Sequence, residues 1–125
     1  QRVRFTGSLP LAQIADWLAA ADIMTLASVS EGLANVWIEA LASGTPIVIP
    51  DVGGAAEVLD RPAAGRLVAP TPAAFAAAIA EILARPPDRA AVAATVDRFG
   101  WGVNAVALRE HLAGLVKRYR HDAPR

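Results

Sequence analysis

Two glutamates eight positions apart, Glu31 and Glu39, are the residues of this sequence best placed to do chemistry. They bracket a glycine, Gly32, and a segment, Leu33-Ala34-Asn35-Val36, that reads as the start of a helix. Glycine lets a backbone come close to a ligand. The first N–H groups of a helix have no partner inside it, and the helix dipole stands behind them. Gly32, Leu33, Ala34 and Asn35 therefore form an anion site suited to a phosphate or diphosphate. Glu39 follows one turn inside the helix, a rise of roughly 6 Å. Its neighbours Val36, Trp37, Ile38, Ala40 and Leu41 make the helix apolar nearly all round, the pattern of a buried helix. A carboxylate embedded there is costly unless it meets donors, and no Lys or Arg stands three or four positions away. Vicinal hydroxyls of a sugar ring would serve, since an ionised carboxylate accepts from both. A phosphate with hydroxyl-bearing groups on both sides is the layout of a nucleotide-sugar. The bland alternative is that Glu39 meets backbone N–H groups or a distant base and Glu31 is a solvated loop charge. The spacing alone leaves both readings open.

The elements that must position these residues alternate between strand and helix patterns. Val3-Arg4-Phe5 reads as a strand ending at Gly7. Leu11, Ile14, Ala15 and Leu18 mark one face of a helix opened near Pro10. Ile23 to Ala27 is a continuous apolar run, expected as a strand buried on both faces. A polar loop from Ser28 leads to the Asn35–Ser43 helix, stopped by Gly44. Pro46 to Ile49 is a further strand, and Asp51-Val52-Gly53-Gly54 turns into a short helix near Ala55–Leu59. Arg66 to Val68 completes about four short strands. Thr71-Pro72 is an N-cap and first-turn proline for a helix whose stripe is Phe75, Ile79, Ile82 and Leu83. Asp88 caps a helix from Arg89 to about Arg98. A last helix runs from Trp101 to Tyr119 with Val103, Val106, Ala107, Leu112, Leu115 and Val116 inward. Strands alternating with helices imply an α/β fold, a Rossmann-like parallel sheet flanked by helices.

Composition narrows the chemistry. Twelve basic and twelve acidic residues cancel, so no field of one sign gathers nucleic acid. The cluster Lys117, Arg118 and Arg120 reads as a solvated helix end. Cysteine is absent, which excludes a disulfide framework and a thiolate nucleophile. His111 and His121 lie without a carboxylate constellation and read as surface residues, so no metal site is expected. No apolar run is long enough to span a membrane.

These blocks, in order, resemble the group 1, family four retaining glycosyltransferases, whose fold is the two-domain GT-B type. The resemblance is carried by Ile23–Ala27, Ser28, Glu31-Gly32, Asn35, Glu39-Ala40 and Gly44-Thr45-Pro46. Downstream, Gly53-Gly54 with Glu57 looks like the family's Gly-Gly-x-x-Glu turn. Gly65-Arg66-Leu67-Val68 looks like its closing strand, and Trp101 like the tryptophan before its terminal helix. Upstream, Val3 to Gly7 and Ala20-Ala21-Asp22 also match, so nearly the whole chain is covered. Ala27 and Ala34 stand where the family often has proline.

The resemblance implies that residues 1–125 are part of a nucleotide-sugar donor-binding domain. Glu31 would contact the transferred sugar, Glu39 the ribose hydroxyls, and the backbone at Gly32 to Asn35 the diphosphate. Gly53 and Gly54 would line the same crevice or serve only the turn. The family transfers a glycosyl group from a nucleoside diphosphate sugar to an acceptor, a glycan or lipid carrier, with retention. The donor is a substrate; no cofactor and no obligate metal is implied. A bacterial cytoplasmic setting, extending to the inner membrane face, follows from the family alone. The family's first two strand–helix units, with an Arg and a Lys for the diphosphate, and its acceptor domain are expected to be missing. In the strand order 3-2-1-4-5-6, Val3–Phe5 would then pair with Ile23–Ala27 or cross to another copy, and an open sheet edge would favour self-association. Two other classes remain: a non-catalytic nucleotide-sugar-binding or assembly domain, and a nucleotide-sugar epimerase of the same fold.

Overall fold

The computed structural model describes the backbone of residues 2–122 and the side chains of residues 2–119. Three parallel strands form its sheet: β1 (Met24–Thr25), β2 (Ile47–Pro50) and β3 (Gly65–Val68), in that order. Met24 pairs with Ile47, and Ile47 with Gly65. Six α-helices surround them: α1 (Leu11–Ala20), α2 (Asn35–Ala42), α3 (Ala55–Val58), α4 (Pro72–Ala84), α5 (Arg89–Ala93) and α6 (Trp101–Asp122). The strands follow one another across the sheet, as the last three of a Rossmann order do.

Strand β2 organises the core because both of its faces are covered. Side chains alternate across a strand. Ile47 and Ile49 enter one cluster with Leu18, Trp37, Leu41, Val58, Val92 and Val96, while Val48 enters a second with Ala78 and Ile82. Helix α2 lies on the first face and α4 on the second. The Trp37 indole N–H is buried without an acceptor among the described residues. Gly65 permits the β2–β3 pairing: it has φ +140°, and a Cβ there would meet the Ile47 carbonyl oxygen at 1.8 Å. Thr71 caps α4 as expected, accepting from Ala74 N at 3.3 Å, and Asp88 caps α5, accepting from Ala91 N at 2.9 Å.

Several expectations are corrected. The sheet has three strands, not four: Val3–Phe5 forms no strand and Phe5 is exposed, with Arg4 lying over the Trp17 ring instead. Ile23–Ala27 shortens to the two residues of β1, and Thr25 is exposed, because β1 lies at the edge of the sheet rather than inside it. In α1, Leu18 is buried but Leu11 and Ala15 are exposed. Leu83 leaves the α4 stripe for solvent, and Ala78 takes the buried position. The α5 helix stops at Ala93 and continues as a tighter 3-10 stretch to Phe99. The largest correction is α6. Val103, Val106, Ala107, Leu112, Leu115 and Val116 are all exposed, and α6 packs mainly on the 3-10 stretch that precedes it. His111, Lys117 and Arg118 are solvated as expected, whereas the side chains of Arg120 and His121 lie outside the described residues.

Candidate functional site

In a parallel sheet the loops leaving the strands' carboxyl ends share one rim, and that rim carries the candidate site. The loop after β1 contains Glu31 and Gly32; the loop after β2 contains Gly53 and Gly54. These loops are pressed together. Gly54 N–H donates to the Gly32 carbonyl at 2.7 Å. Gly53 has φ +53°, and a Cβ on it would lie 2.0 Å from the Glu31 carbonyl oxygen and 2.4 Å from that of Gly32. Gly54 sits more loosely, its nearest neighbour being the Leu33 side chain at 3.1 Å. The glycine pair thus packs against the backbone that carries Glu31 and sets where it lies.

Helix α2 opens beside this junction. Ala34 is its N-cap, extended at φ −70° and ψ 123°, and no side chain caps the turn. Trp37 N–H returns to the Ala34 carbonyl at 3.0 Å, so the N–H groups of Asn35 and Val36 are the ones without an acceptor in the helix. Leu33 precedes the helix and is partly exposed.

Glu39 is exposed, which corrects the expectation of an embedded carboxylate. Helix α2 is one-sided: Trp37, Ala40 and Leu41 are buried, Val36 and Ile38 half-buried, and Asn35, Glu39 and Ala42 face out. Apolar composition overstated burial because Val36 and Ile38 lie at the margins of the packed face. Glu31 is half-buried. The ion pairs among the described residues join Arg61 and Arg98 to Asp60 and Arg66 to Glu81, so neither glutamate has a cationic partner. Glu39 stands between two concavities. One, about 400 Å³, is lined by Leu33, Asn35, Ile38, Phe99, Trp101 and Asn104; the other, about 250 Å³, lies toward Leu11, Ile14 and Ser43.

The far end of α2 is held by Gly44, where the helix was expected to stop, and by long-range contacts of Thr45 and Arg89 that no local pattern indicates. Gly44, at φ +76°, turns the chain out of the helix. The buried Thr45 hydroxyl donates to the Leu18 carbonyl at 2.6 Å. Arg89 donates to the carbonyls of Ala19 at 2.5 Å and Ser43 at 3.0 Å. One guanidinium therefore joins the C-termini of α1 and α2, where the helix dipoles favour a cation. Arg89 lies more than forty positions from Ser43, and no local pattern announces such a pairing. Among the described residues there is no cluster of His, Cys, Asp and Glu able to hold a metal, and no helix is long and apolar enough to cross a membrane.

Comparison with known proteins gives the family. Residues 1–85 match the family described as Glycosyl transferases group 1. A D-inositol 3-phosphate glycosyltransferase of Streptomyces scabiei is 38% identical over 86% of this chain and 25% of its own length. Its namesake from Thermobispora bispora is 33% identical over 98% of this chain and 30% of its own. Among solved structures, sucrose-phosphate synthase from Thermosynechococcus elongatus superposes with a TM-score of 0.81 at 31% identity, over 94% of this chain and 31% of that one. The chain thus spans a quarter to a third of the length of these relatives. With the family pattern covering more than half of its residues, the chain belongs to the group 1 glycosyl transferases.

Proposed function

We propose that this chain supplies the donor side of a glycosyl transfer, in which a nucleoside diphosphate sugar gives its glycosyl group to an acceptor with retention of configuration. One observation carries the reading. A carboxylate with no ion-pair partner among the described residues, Glu39, stands exposed one turn inside a helix whose uncapped N-terminus opens on the rim where Glu31 is held. Glu31 takes hydroxyls of the transferred sugar, Glu39 those of the ribose, and the N–H groups of Asn35 and Val36 the diphosphate. Departure of the nucleoside diphosphate builds negative charge on phosphate, and N–H groups fixed in advance stabilise that charge without reorganising. The acceptor is a glycan or a lipid carrier, reached from the cytoplasmic side and at the membrane face.

Calorimetric titration with nucleoside diphosphate sugars tests the reading. Binding by the wild type that is lost in Glu39→Ala supports it. No binding, or equal binding by the variant, favours a second reading, an assembly domain, for which the observation is the exposed apolar side of α6. Product analysis that finds an epimerised nucleotide-sugar and no transfer would select the epimerase alternative.

A further inference from the structure

The backbone that carries Glu39 is held from the far end of α2. Its carbonyl accepts twice from Ser43, from the backbone N–H at 3.1 Å and from the hydroxyl at 2.8 Å. Ser43 is the C-cap of α2, and its own carbonyl is one of those a helix leaves without an internal partner. Arg89 Nη2 fills that place at 3.0 Å. The same nitrogen donates to the Ala19 carbonyl at 2.5 Å, and Nη1 donates to the Ala21 carbonyl at 3.4 Å. Carbonyls from the ends of α1 and α2 thus converge on one planar cation.

The corner is built to admit that cation. A Cβ on Gly44 would stand 3.0 Å from both the Cβ and the carbonyl oxygen of Arg89, so glycine there lets α5 come close to the end of α2. Asp88 caps α5 through Ala91 N–H, which fixes the turn from which Arg89 projects. The two helices joined in this way form the walls of the 250 Å³ concavity. Leu11, Ile14 and Leu18 of α1 line one side, and Glu39 and Ser43 the other. Glu39 lies about one turn from the pinned carbonyl, so a slide of α2 along α1 carries its carboxylate by the same distance.

We propose that Arg89 is a positioning residue for the donor. By pinning the C-terminus of α2 to that of α1, it fixes where the Glu39 carboxylate meets the two vicinal ribose hydroxyls. It acts through Ser43 and Glu39. The inference rests on the donor reading for what Glu39 holds; the pinning of α2 does not depend on it. A carboxylate that takes two hydroxyls at once tolerates less displacement than one that takes a single hydroxyl, because both distances must stay within hydrogen-bonding range. Arginine suits the task because its donors are set in a rigid fork, whereas a lysine ammonium is a point charge on a flexible stem. Arg89→Lys therefore keeps the charge and removes the geometry.

The test is a calorimetric titration of wild type, Arg89→Lys and Ile82→Val with UDP, GDP and ADP and with the 2′-deoxy form of each. It is run at a temperature where circular dichroism shows all three proteins fully folded. Ile82→Val is the stability control, since it removes a buried methyl from the opposite face of the sheet. The ribonucleotide that wild type binds should be weakened about fivefold by Arg89→Lys, and its 2′-deoxy counterpart by less than about twofold. Ile82→Val should change neither. Equal loss for the two nucleotides means that Arg89 supports the domain as a whole and overturns the proposal, as does no loss. Amide hydrogen exchange is read alongside and decides the matter where no nucleotide pair can be compared. Faster exchange in Arg89→Lys at Ser43, Gly44 and Thr45, with the α4 amides at wild-type rates, supports the pin. Unchanged exchange there, or an equal rise across α4, overturns it. Failure of every nucleotide to bind wild type defeats the donor reading, and the exchange arm alone then shows whether Arg89 fixes α2. Because Arg89 is exposed, the lysine variant is expected to fold.

Discussion

The glycine pair after β2 allows the donor-rim geometry to be tested by a single methyl group. Gly53 has φ +53°, a conformation that costs an alanine about 1–2 kcal/mol on backbone grounds alone. Its new Cβ would lie 2.0 Å from the Glu31 carbonyl oxygen, more than 1 Å inside ordinary contact, and that atom is backbone. Relief requires the two rim loops to part, which breaks the 2.7 Å bond from Gly54 N–H to the Gly32 carbonyl. That adds about 1 kcal/mol. The sum for Gly53→Ala is about 2–3 kcal/mol. Gly54 is the internal control. Its φ is −83°, and an added Cβ meets first the partly exposed Leu33 side chain, which can yield. Gly54→Ala should cost less than about 1 kcal/mol. Urea unfolding followed by circular dichroism measures both. In a domain of this size the two variants should differ by roughly 4–12 °C in Tm as well. Gly53→Ala should also weaken nucleoside diphosphate binding, because it displaces the backbone that carries Glu31. Equal loss of stability in both variants would refute the claim that the rim loops are locked together through Gly53.

Other outcomes follow from the same packing. Glu39→Gln should leave stability within about 0.5 kcal/mol, since the side chain is exposed and has no ion-pair partner among the described residues, yet should abolish donor binding seen by calorimetry. Thr45→Val removes a buried donor from the Leu18 carbonyl and should cost about 1–2 kcal/mol in urea unfolding. Arg89→Lys should fail to restore the loss caused by Arg89→Ala, because an ammonium cannot span the carbonyls of Ala19 and Ser43 as a planar fork does. In acid, hydrogen bonding from Arg61 holds Asp60 below its ordinary 3.8, and hydrogen bonding from Arg66 holds Glu81 below its ordinary 4.5. Depressed carboxylates stabilise the fold above their unfolded values and lose that contribution as pH falls through the folded ones. The urea midpoint should therefore drop from about pH 5 downward, and the drop should shrink in Glu81→Gln and at high salt.

Much of the architecture is legible because it rests on local physics. Thr71 and Pro72 start α4, Asp88 starts α5, and Gly44 ends α2, since caps and a left-handed turn depend on residues within one turn of each other. The run Ile47–Ile49 reads as strand from its own composition. The failures share a cause as well. Val3–Phe5 and Ile23–Ala27 have strand character, but a strand needs a neighbour, and their sequences do not say whether one lies alongside. The apolar residues of α6 were expected inward for the same reason: periodicity identifies a face without identifying what covers it.

The sequence by itself determined where the helices and β2 lie, that the sheet is parallel, and that Glu31, Gly32 and Glu39 cluster about one helix start. Those features follow from the periodicity, the caps and the spacing of nearby residues. Only the tertiary structure decided that Glu39 is open to solvent, that Gly53 presses on the Glu31 carbonyl, and that Arg89 binds two helix ends. It alone brought Trp101 and Asn104 to the same hollow as Glu39. The physical reason is that exposure and contact belong to pairs of segments distant along the chain, and a pattern within one segment carries no information about its partner.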